Sequence, residues 1–526
     1  MNDAPQPSPN ALTRGDLALL AAAALITIGF RLHANAAPLE SDECNYVYFA
    51  QRMLAGDRLY VDVWDHQPPG IFALLVLPTA LCGSSPLVYR TLALVFVLLT
   101  MVGIFDIARR WFGRPAAWAA ILLFAAASSD PGIAGDGCNR EIHMNALLVA
   151  AVWMLARRHT ANLWCVLVAG LLIGLASTIK TIVALHWLAL LPVVVMLPVP
   201  DGADRRRHLL RSIGVFAVGP AVAWLIVLAY FAVSGRFAEF VDAVFAQNLI
   251  YSGEGMGWGR RLLAFFLKGD GFRMGVFGSA SALWLAGAFG LVMFPWRGDR
   301  VRSTALAGWV VGSYLAVCST GKFWPHYYML MLPPVVLLAA ALVHRIETCN
   351  RKLSLGAALV ILFSLLATQI PGYLLVEPDR IAQGRYGDRM SWVRDQAERV
   401  AGATDLNDSI YVWSTDAGFY YYSGRPCATR FTMNGALLGE SESAYARRRL
   451  LVRDLAGNQP RLILIPFGRH PPCAELLEFI QERRYISVGR TERMEILCDP
   501  ERPIERINWS WKTGIRAWVP GTEPRP

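Results

Sequence analysis

Residues 40–70 read ESDECNYVYFAQRMLAGDRLYVDVWDHQPPG, a run that concentrates carboxylates directly after the apolar stretch Leu17 to Leu32. Asp42 and Glu43 therefore fall near the headgroup level of a membrane, where a charge is tolerated, and not in hydrocarbon. From Tyr46 to Ala55 the spacing puts Val47, Ala50 and Leu54 on one side of a helix and Gln51 and Arg52 on another, which predicts a helix lying in the interface. Asp57, Asp62, Asp65 and His66 follow, ahead of Pro68 and Pro69. Two consecutive prolines disfavour helix at the residue before them and suit a helix start after them, so the loop over 38–70 ends in a stiff corner. On composition alone the same residues also make an ordinary solvated acidic loop.

Outward from this stretch the chain belongs to lipid. It is 526 residues long, 55% hydrophobic and only 17% charged, with a mean hydropathy of +0.37, more apolar run than a soluble core can use. A net charge of +10 would suggest a nucleic-acid partner in a soluble protein. Here the basic residues recur in short loops between apolar runs, which is an orientation signal, so nucleic acid is excluded. Nine cysteines occur without a CxxC pair, and HExxH is absent, so no metal site or redox motif is indicated. One disulfide among Cys427, Cys473 and Cys498 is compatible with an oxidising compartment, with no pairing deducible.

Residues 1–16 are polar and Pro-rich. Ala34-Asn35-Ala36 has the small-x-small form of a signal-peptidase site, so a cleaved leader is the alternative to a first span; either way Asp42 ends outside. Ile71 to Leu81 is too short to span and is interrupted by Pro78, which predicts a helix packed at the outer interface. The spans drawn are 17–37, 86–108, 115–130, 142–157, 162–179, 181–199, 213–234, 276–294, 304–321, 327–345 and 353–371, about eleven helices. With Ile71 to Leu81 not crossing, the basic loops at Arg109 to Arg114, Arg157-Arg158, Arg205 to Arg211, Arg297 to Arg302 and Arg345 to Lys352 all fall on one side. The positive-inside rule makes that side cytoplasmic.

Several polar residues then gather on the external side. Asp136, Asn139 and Glu141 stand at the outer mouth of a helix, where Glu141 suits a ligand or simply an acidic first turn. Lys180 closes an apolar run, as a snorkelling lysine or as a cation for an anionic headgroup. Arg90 lies four residues into a span, where a guanidinium needs a carboxylate or phosphate partner. Gly321 to Tyr328, GKFWPHYY, supplies Lys322, His326 and Tyr327, in which an aromatic belt is ordinary and the histidine is less so. Between Arg236 and Met274 the run FAEFVDAVFAQNLIY and a Gly-rich turn, GEGMGWG, predict either a mobile cover or a plain interfacial helix pair.

The Asp-Glu pair after the first span, the aromatic-rich helix and the Pro-Pro corner preceded by Asp65-His66 resemble the first external loop of GT-C fold glycosyltransferases that use polyprenyl-phosphate sugars. That group includes the protein O-mannosyltransferases and the aminoarabinose transferases acting on lipid A. The likeness runs more weakly over roughly the first 370 residues, through Asn139 to Asn145, Gly174 to Lys180 and Pro325 to Pro334. Where many relatives have Lys before the Pro-Pro pair this chain has Gln67, so that cationic contact does not carry over.

The resemblance implies transfer of a sugar from a polyprenyl-phosphate donor to a lipid, glycan or protein acceptor, with inversion, at the outer face of a bacterial-type inner membrane. In it Asp42 is the general base and Glu43 orients it or the acceptor. Arg90, Lys180 and His326 neutralise the leaving phosphate, and Glu141, Lys322 and Tyr327 line the substrate site. No metal or cofactor is strictly required, and metal dependence stays open. The rival from another class is a transporter or flippase, which would place its ionisable residues near the midplane.

After Pro371 the composition turns charged and broken. Short apolar runs at Ser409 to Trp413 and Arg461 to Pro466 alternate with helical patterns at Ser391 to Val400, Ser441 to Leu455 and Ala474 to Arg483. This predicts a transmembrane part over 1–371 followed by a small external α/β domain over 372–526. Asp416, Tyr420 to Tyr422 and Arg430 are polar enough to touch substrate, although a structural role is the plainer reading. Trp509, Trp511 and Trp518, near basic residues, suit a membrane surface.

Overall fold

The structure, a computed structural model, describes residues 12–156, 162–200, 202–253, 256–268, 275–296, 298–468 and 470–504. Each drawn span contains helix among its described residues. In chain order come α1 (Arg14–Ala34), α2 (Ser41–Leu54), α3 (Pro69–Cys82), α4 (Pro86–Phe112), α5 (Arg114–Ala127), α6 (Arg140–Leu155), α7 (Leu163–Ile179), α8 (Ala184–Val195) and α9 (Arg205–Val233). Further helices cover Ser281–Met293, Arg300–Ser319, Leu332–Glu347 and Arg351–Gln369. Among the described residues, six helices are long and apolar enough to cross a membrane, α1, α4 and α9 among them, and shorter apolar helices such as α3, α5 and α7 pack between them. The chain is a polytopic helical membrane protein.

Basic residues mark one end of this bundle. Arg114 Nε reaches Asp16 Oδ2 at 3.3 Å, Arg302 donates to the Trp111 carbonyl, and His344 packs on Phe112 with ring centroids 6.1 Å apart. The start of α1, the α4–α5 turn at Gly113 (φ +90°) and the 302 and 344 segments thus lie together, as the charge parity requires. Arg157, Arg158 and Arg297 lie outside the described residues, as do Trp509, Trp511 and Trp518.

At the opposite end sits a four-stranded sheet of β1 (Ile410–Val412), β2 (Leu462–Pro466), β3 (Ile486–Arg490) and β4 (Met494–Cys498), in the order β1-β2-β4-β3. β1 and β2 are parallel, joined through the helix Glu442–Asn458, whereas β4 is antiparallel to both its neighbours. The alternation of strand and helix read from the sequence is realised. One apolar core runs without a break from α4–α7 into this sheet. The composition change at 371 falls inside a π-helical turn, Ile370–Leu374, and Tyr373 from that turn stacks on Phe30 of α1 at 5.8 Å.

Two expectations are corrected here. α2 does not lie flat in an interface: it begins at Ser41, and its residues 43–50 are all buried. Phe49 stacks on Phe72 of α3 at 5.0 Å, and on another face Tyr48 meets Tyr420 at 5.6 Å and accepts from the Cys427 N–H at 2.8 Å. An aromatic on each face lets α3 and the C-terminal part sandwich the helix, which a one-sided apolar stripe does not anticipate. The cysteines Cys427, Cys473 and Cys498 are all free, and burial pushes the thiols of Cys427 and Cys473 up, the latter to about 11.

Candidate active site

Four chain segments converge at the foot of the C-terminal part. The start of α2 brings Asp42, the start of α6 brings Arg140 and Glu141, Lys180 follows the last residue of α7, and the 3-10 helix Pro325–Met331 brings His326 and Tyr327. Sequence explains the placement. Pro68 caps α3 and Pro69 opens it, and Gly70 then passes so close to Thr178 that a Cβ would stand 2.5 Å from its carbonyl oxygen. That glycine lets the Pro-Pro corner press against the end of α7.

Lys180 Nζ donates to Glu141 Oε1 at 2.8 Å and sits 3.4 Å from the Tyr327 ring centroid. Asp42 Oδ2 accepts from the Tyr46 hydroxyl at 3.3 Å and lies 3.9 Å from Arg140, whose guanidinium covers the Tyr46 ring at 5.1 Å. The charged pairs are graded by exposure: Glu141 is 0%, Arg140 2% and Lys180 7% exposed, whereas Asp42 is 39% exposed. Burial pushes the Lys180 ammonium below its ordinary value, against the pull of Glu141. Asp42 and Glu141 each occupy a first helical turn, where the N-terminal dipole favours a carboxylate.

Several buried polar atoms here have no partner within the protein: Arg140 Nη1, Glu141 Oε2 and both ring nitrogens of His326. Buried polar groups are ordinarily paired, so a cluster of such atoms marks a place built for a polar ligand or water. Among the described residues, no group of three His, Cys, Asp or Glu side chains is placed to hold a metal ion.

The segment Phe237–Gly253 closes one side of this cluster, with a π-helical turn at Asp242–Ala246. Its Tyr251 hydroxyl lies near the side chains of Trp324 and Tyr327, and Lys322 Nζ lies 4.6 Å from the Tyr251 ring centroid. The helix Glu442–Asn458 holds the segment through Arg447, which bonds Asp242 at 2.9 Å and stacks over Trp64 at 4.7 Å. Part of the Gly-rich turn, Glu254 and Gly255, lies outside the described residues.

Not every predicted site residue faces this cluster. Glu43 is buried and caps backbone: Oε1 accepts from the Cys138 N–H at 2.5 Å and Oε2 from the Glu40 N–H at 3.0 Å. Arg90 donates to the carbonyls of Ala34 (2.5 Å) and Pro38 (3.3 Å), fixing the chain as it leaves α1. Arg430 pairs with Asp454 at 2.8 Å, Asp416 with Arg389 at 2.6 Å, and Tyr420 accepts from the Val412 N–H at 2.9 Å, so these residues are tied into the C-terminal part. Asp57 and Asp62 pair with Arg52 and Arg58 within the loop. Sequence reading missed Arg140, Tyr46 and Tyr251. Arg140 had a signal, a basic residue directly before Glu141 at an outer helix mouth; the two tyrosines look like any interfacial aromatic.

Residues 66–233 match the dolichyl-phosphate-mannose-protein mannosyltransferase family. The whole fold is also similar to ArnT from Cupriavidus metallidurans bound to undecaprenyl phosphate, at 15% identity and a TM-score of 0.63, over 93% of this chain and 98% of that one. The chain shares the fold of ArnT. Its likeness extends to the same ArnT in the apo state, at 16% identity and a TM-score of 0.60, over 92% and 98% of the two chains. The Archaeoglobus fulgidus oligosaccharyltransferase matches at 14% identity and a TM-score of 0.51, over 86% of this chain and 69% of the archaeal one. No curated protein sequence matches it.

Proposed function

We propose that this glycosyltransferase moves a sugar from a polyprenyl-phosphate donor to a hydroxyl or phosphate of a lipid, glycan or protein acceptor, inverting the anomeric carbon. Asp42 takes the acceptor proton as general base, since it is the exposed carboxylate of an otherwise buried charged set. The acceptor oxygen bonds the anomeric carbon as the bond to the phosphate oxygen breaks, and the electron pair leaves on the phosphate. Arg140, Lys180 and His326 take up that charge, with Lys322 at the rim. The observation that carries this reading is the Arg140 nitrogen without a protein partner, 2% exposed beside Asp42, in a fold shared with an undecaprenyl-phosphate-bound transferase.

The charged cluster lies at helix ends, opposite the basic turns, and not along the bundle midplane, which argues against a transporter. By the same parity the site and the external sheet face the periplasm of a bacterial-type inner membrane. Nucleotide sugars are held in the cytoplasm, so the donor arrives on a lipid already flipped. Purified protein in detergent should consume a polyprenyl-phosphate sugar and ignore the corresponding nucleotide sugar; turnover of the nucleotide form without any lipid carrier rules the proposal out.

A further inference from the structure

His66 stands beside the charged cluster, and the transfer step above makes no use of it. A chain of side chains reaches it from the external part. Thr432 Oγ1 donates to Asn45 Oδ1 at 2.6 Å, Asn45 Nδ2 donates to Asp65 Oδ2 at 2.6 Å, and Asp65 Oδ1 faces His66 Nδ1 at 3.1 Å. Asn45 and Asp65 are buried, whereas the His66 side chain is 27% exposed. Gln67 Nε2 lies 2.8 Å from His66 Nε2, and an amide nitrogen can only donate. The proton therefore sits on Nδ1, toward Asp65, and Nε2 is an acceptor. This assignment follows from the hydrogen-bond network.

The surroundings fit a sugar. Ring centroids of His66 and Tyr251 are 5.1 Å apart, and Asn248, one helical turn before Tyr251, donates to the His66 carbonyl at 2.6 Å. Tyr251 in turn carries Lys322 over its ring and lies near Tyr327, over whose ring Lys180 sits, so two aromatic rings separate His66 from Lys180. An acceptor nitrogen beside an aromatic ring offers the two contacts a sugar needs, one for a hydroxyl and one for its C–H face. A loop needing only rigidity has no use for a buried relay that fixes an imidazole tautomer.

We infer that His66, oriented by Asp65, binds a sugar hydroxyl through Nε2 beside the ring of Tyr251, and that the Gln67 amide holds this nitrogen when no sugar is bound. The hydroxyl belongs either to the donor sugar or to a glycan acceptor. This inference rests on the transferase reading above.

Equilibrium binding separates the sources and is independent of turnover. The full-length protein in detergent is titrated with undecaprenyl phosphate and with its glucosyl, mannosyl and aminoarabinosyl derivatives. A donor contact makes His66→Ala lose about five- to tenfold in affinity for the best sugar-bearing lipid, the size of one hydrogen bond, with bare undecaprenyl phosphate bound as before. An acceptor contact leaves lipid binding unchanged and raises by a similar factor the KM for acceptor from a total envelope extract. In both cases Gln67→Ala keeps or improves affinity, because it removes a competitor for Nε2. If His66→Ala fails to fold, His66→Gln is read for the same pattern. Equal loss on the bare lipid, no change in either arm, or damage from Gln67→Ala equal to that from His66→Ala overturns the inference. If the wild-type protein binds none of these lipids, the donor reading falls and this one with it.

Discussion

Two sets of charged residues lie at the same end of this protein, with Asp42 of one and Glu43 of the other adjacent in sequence, and they are used in opposite ways. Asp42, Arg140, Glu141 and Lys180 meet one another side chain to side chain, with Asp42 39% exposed at the edge. Glu43, Arg90 and Arg31 meet backbone: Arg31 of α1 donates to the carbonyls of Gly137 at 3.0 Å and Ser128 at 3.3 Å, next to the N–H that Glu43 caps. Backbone carbonyls and N–H groups buried without water must be paired, so the second set is committed to holding the 128–139 loop and the exit of α1. The first set remains addressable by a ligand. Adjacency in sequence says nothing about which use a carboxylate has.

The largest effect expected from breaking this contrast is on Asp42. Asp42→Asn keeps volume and should lower transfer by about 10²- to 10⁴-fold, with protein yield and thermal unfolding unchanged. An active Asp42→Asn protein moves the base elsewhere. Next comes Lys180. Lys180→Ala leaves the fully buried Glu141 without its cation and should weaken polyprenyl-phosphate binding by roughly ten- to a hundredfold, whereas Lys180→Arg keeps most of it. Equal binding by the two variants would return Lys180 to a packing role.

Glu43 should behave as the mirror image of Asp42. Glu43→Gln weakens two capping bonds, so stability falls by about 1–3 kcal/mol while activity per folded molecule stays the same. Thermal unfolding set beside turnover distinguishes the two carboxylates; a Glu43→Gln protein that is stable but inactive would break the comparison. The smallest effect is on pH. Burial has lowered the Lys180 ammonium, so donor affinity should fade on the alkaline side earlier than an ordinary lysine allows, as the cation is lost when pH rises through its value. In Lys180→Arg, whose guanidinium stays charged, that alkaline decline should flatten in a binding titration against pH.

Much of this was legible beforehand, for identifiable reasons. Hydropathy and charge parity located the spans, because lipid forces backbone bonds to be satisfied inside each segment. The Pro-Pro corner announced the start of α3 from ring geometry alone. Asp42, Glu141, Lys180, His326 and Tyr327 do converge. What stayed hidden depends on contacts across hundreds of residues. That Glu43 turns toward Cys138 and Arg90 toward Ala34 is decided by the packing of α1 against the 128–139 loop, which no local pattern encodes. Tyr251 meets Lys322 only because a separate segment brings the two together, and Tyr46, one turn after Asp42 on the same helix, looks locally like any interfacial aromatic.

The joint between loop 38–70 and the sheet bears on how such enzymes can be recombined. The Trp64 N–H donates to the Arg430 carbonyl at 2.8 Å, Thr432 bonds Asn45, and Tyr420 packs on Tyr48, so the loop is as much a layer of the C-terminal part as of the bundle. A chimera that exchanges residues 372–526 alone between two transferases severs these contacts at once. The heritable unit is the loop together with the sheet, and grafts cut at that seam are the ones that should carry a specificity from one scaffold to another.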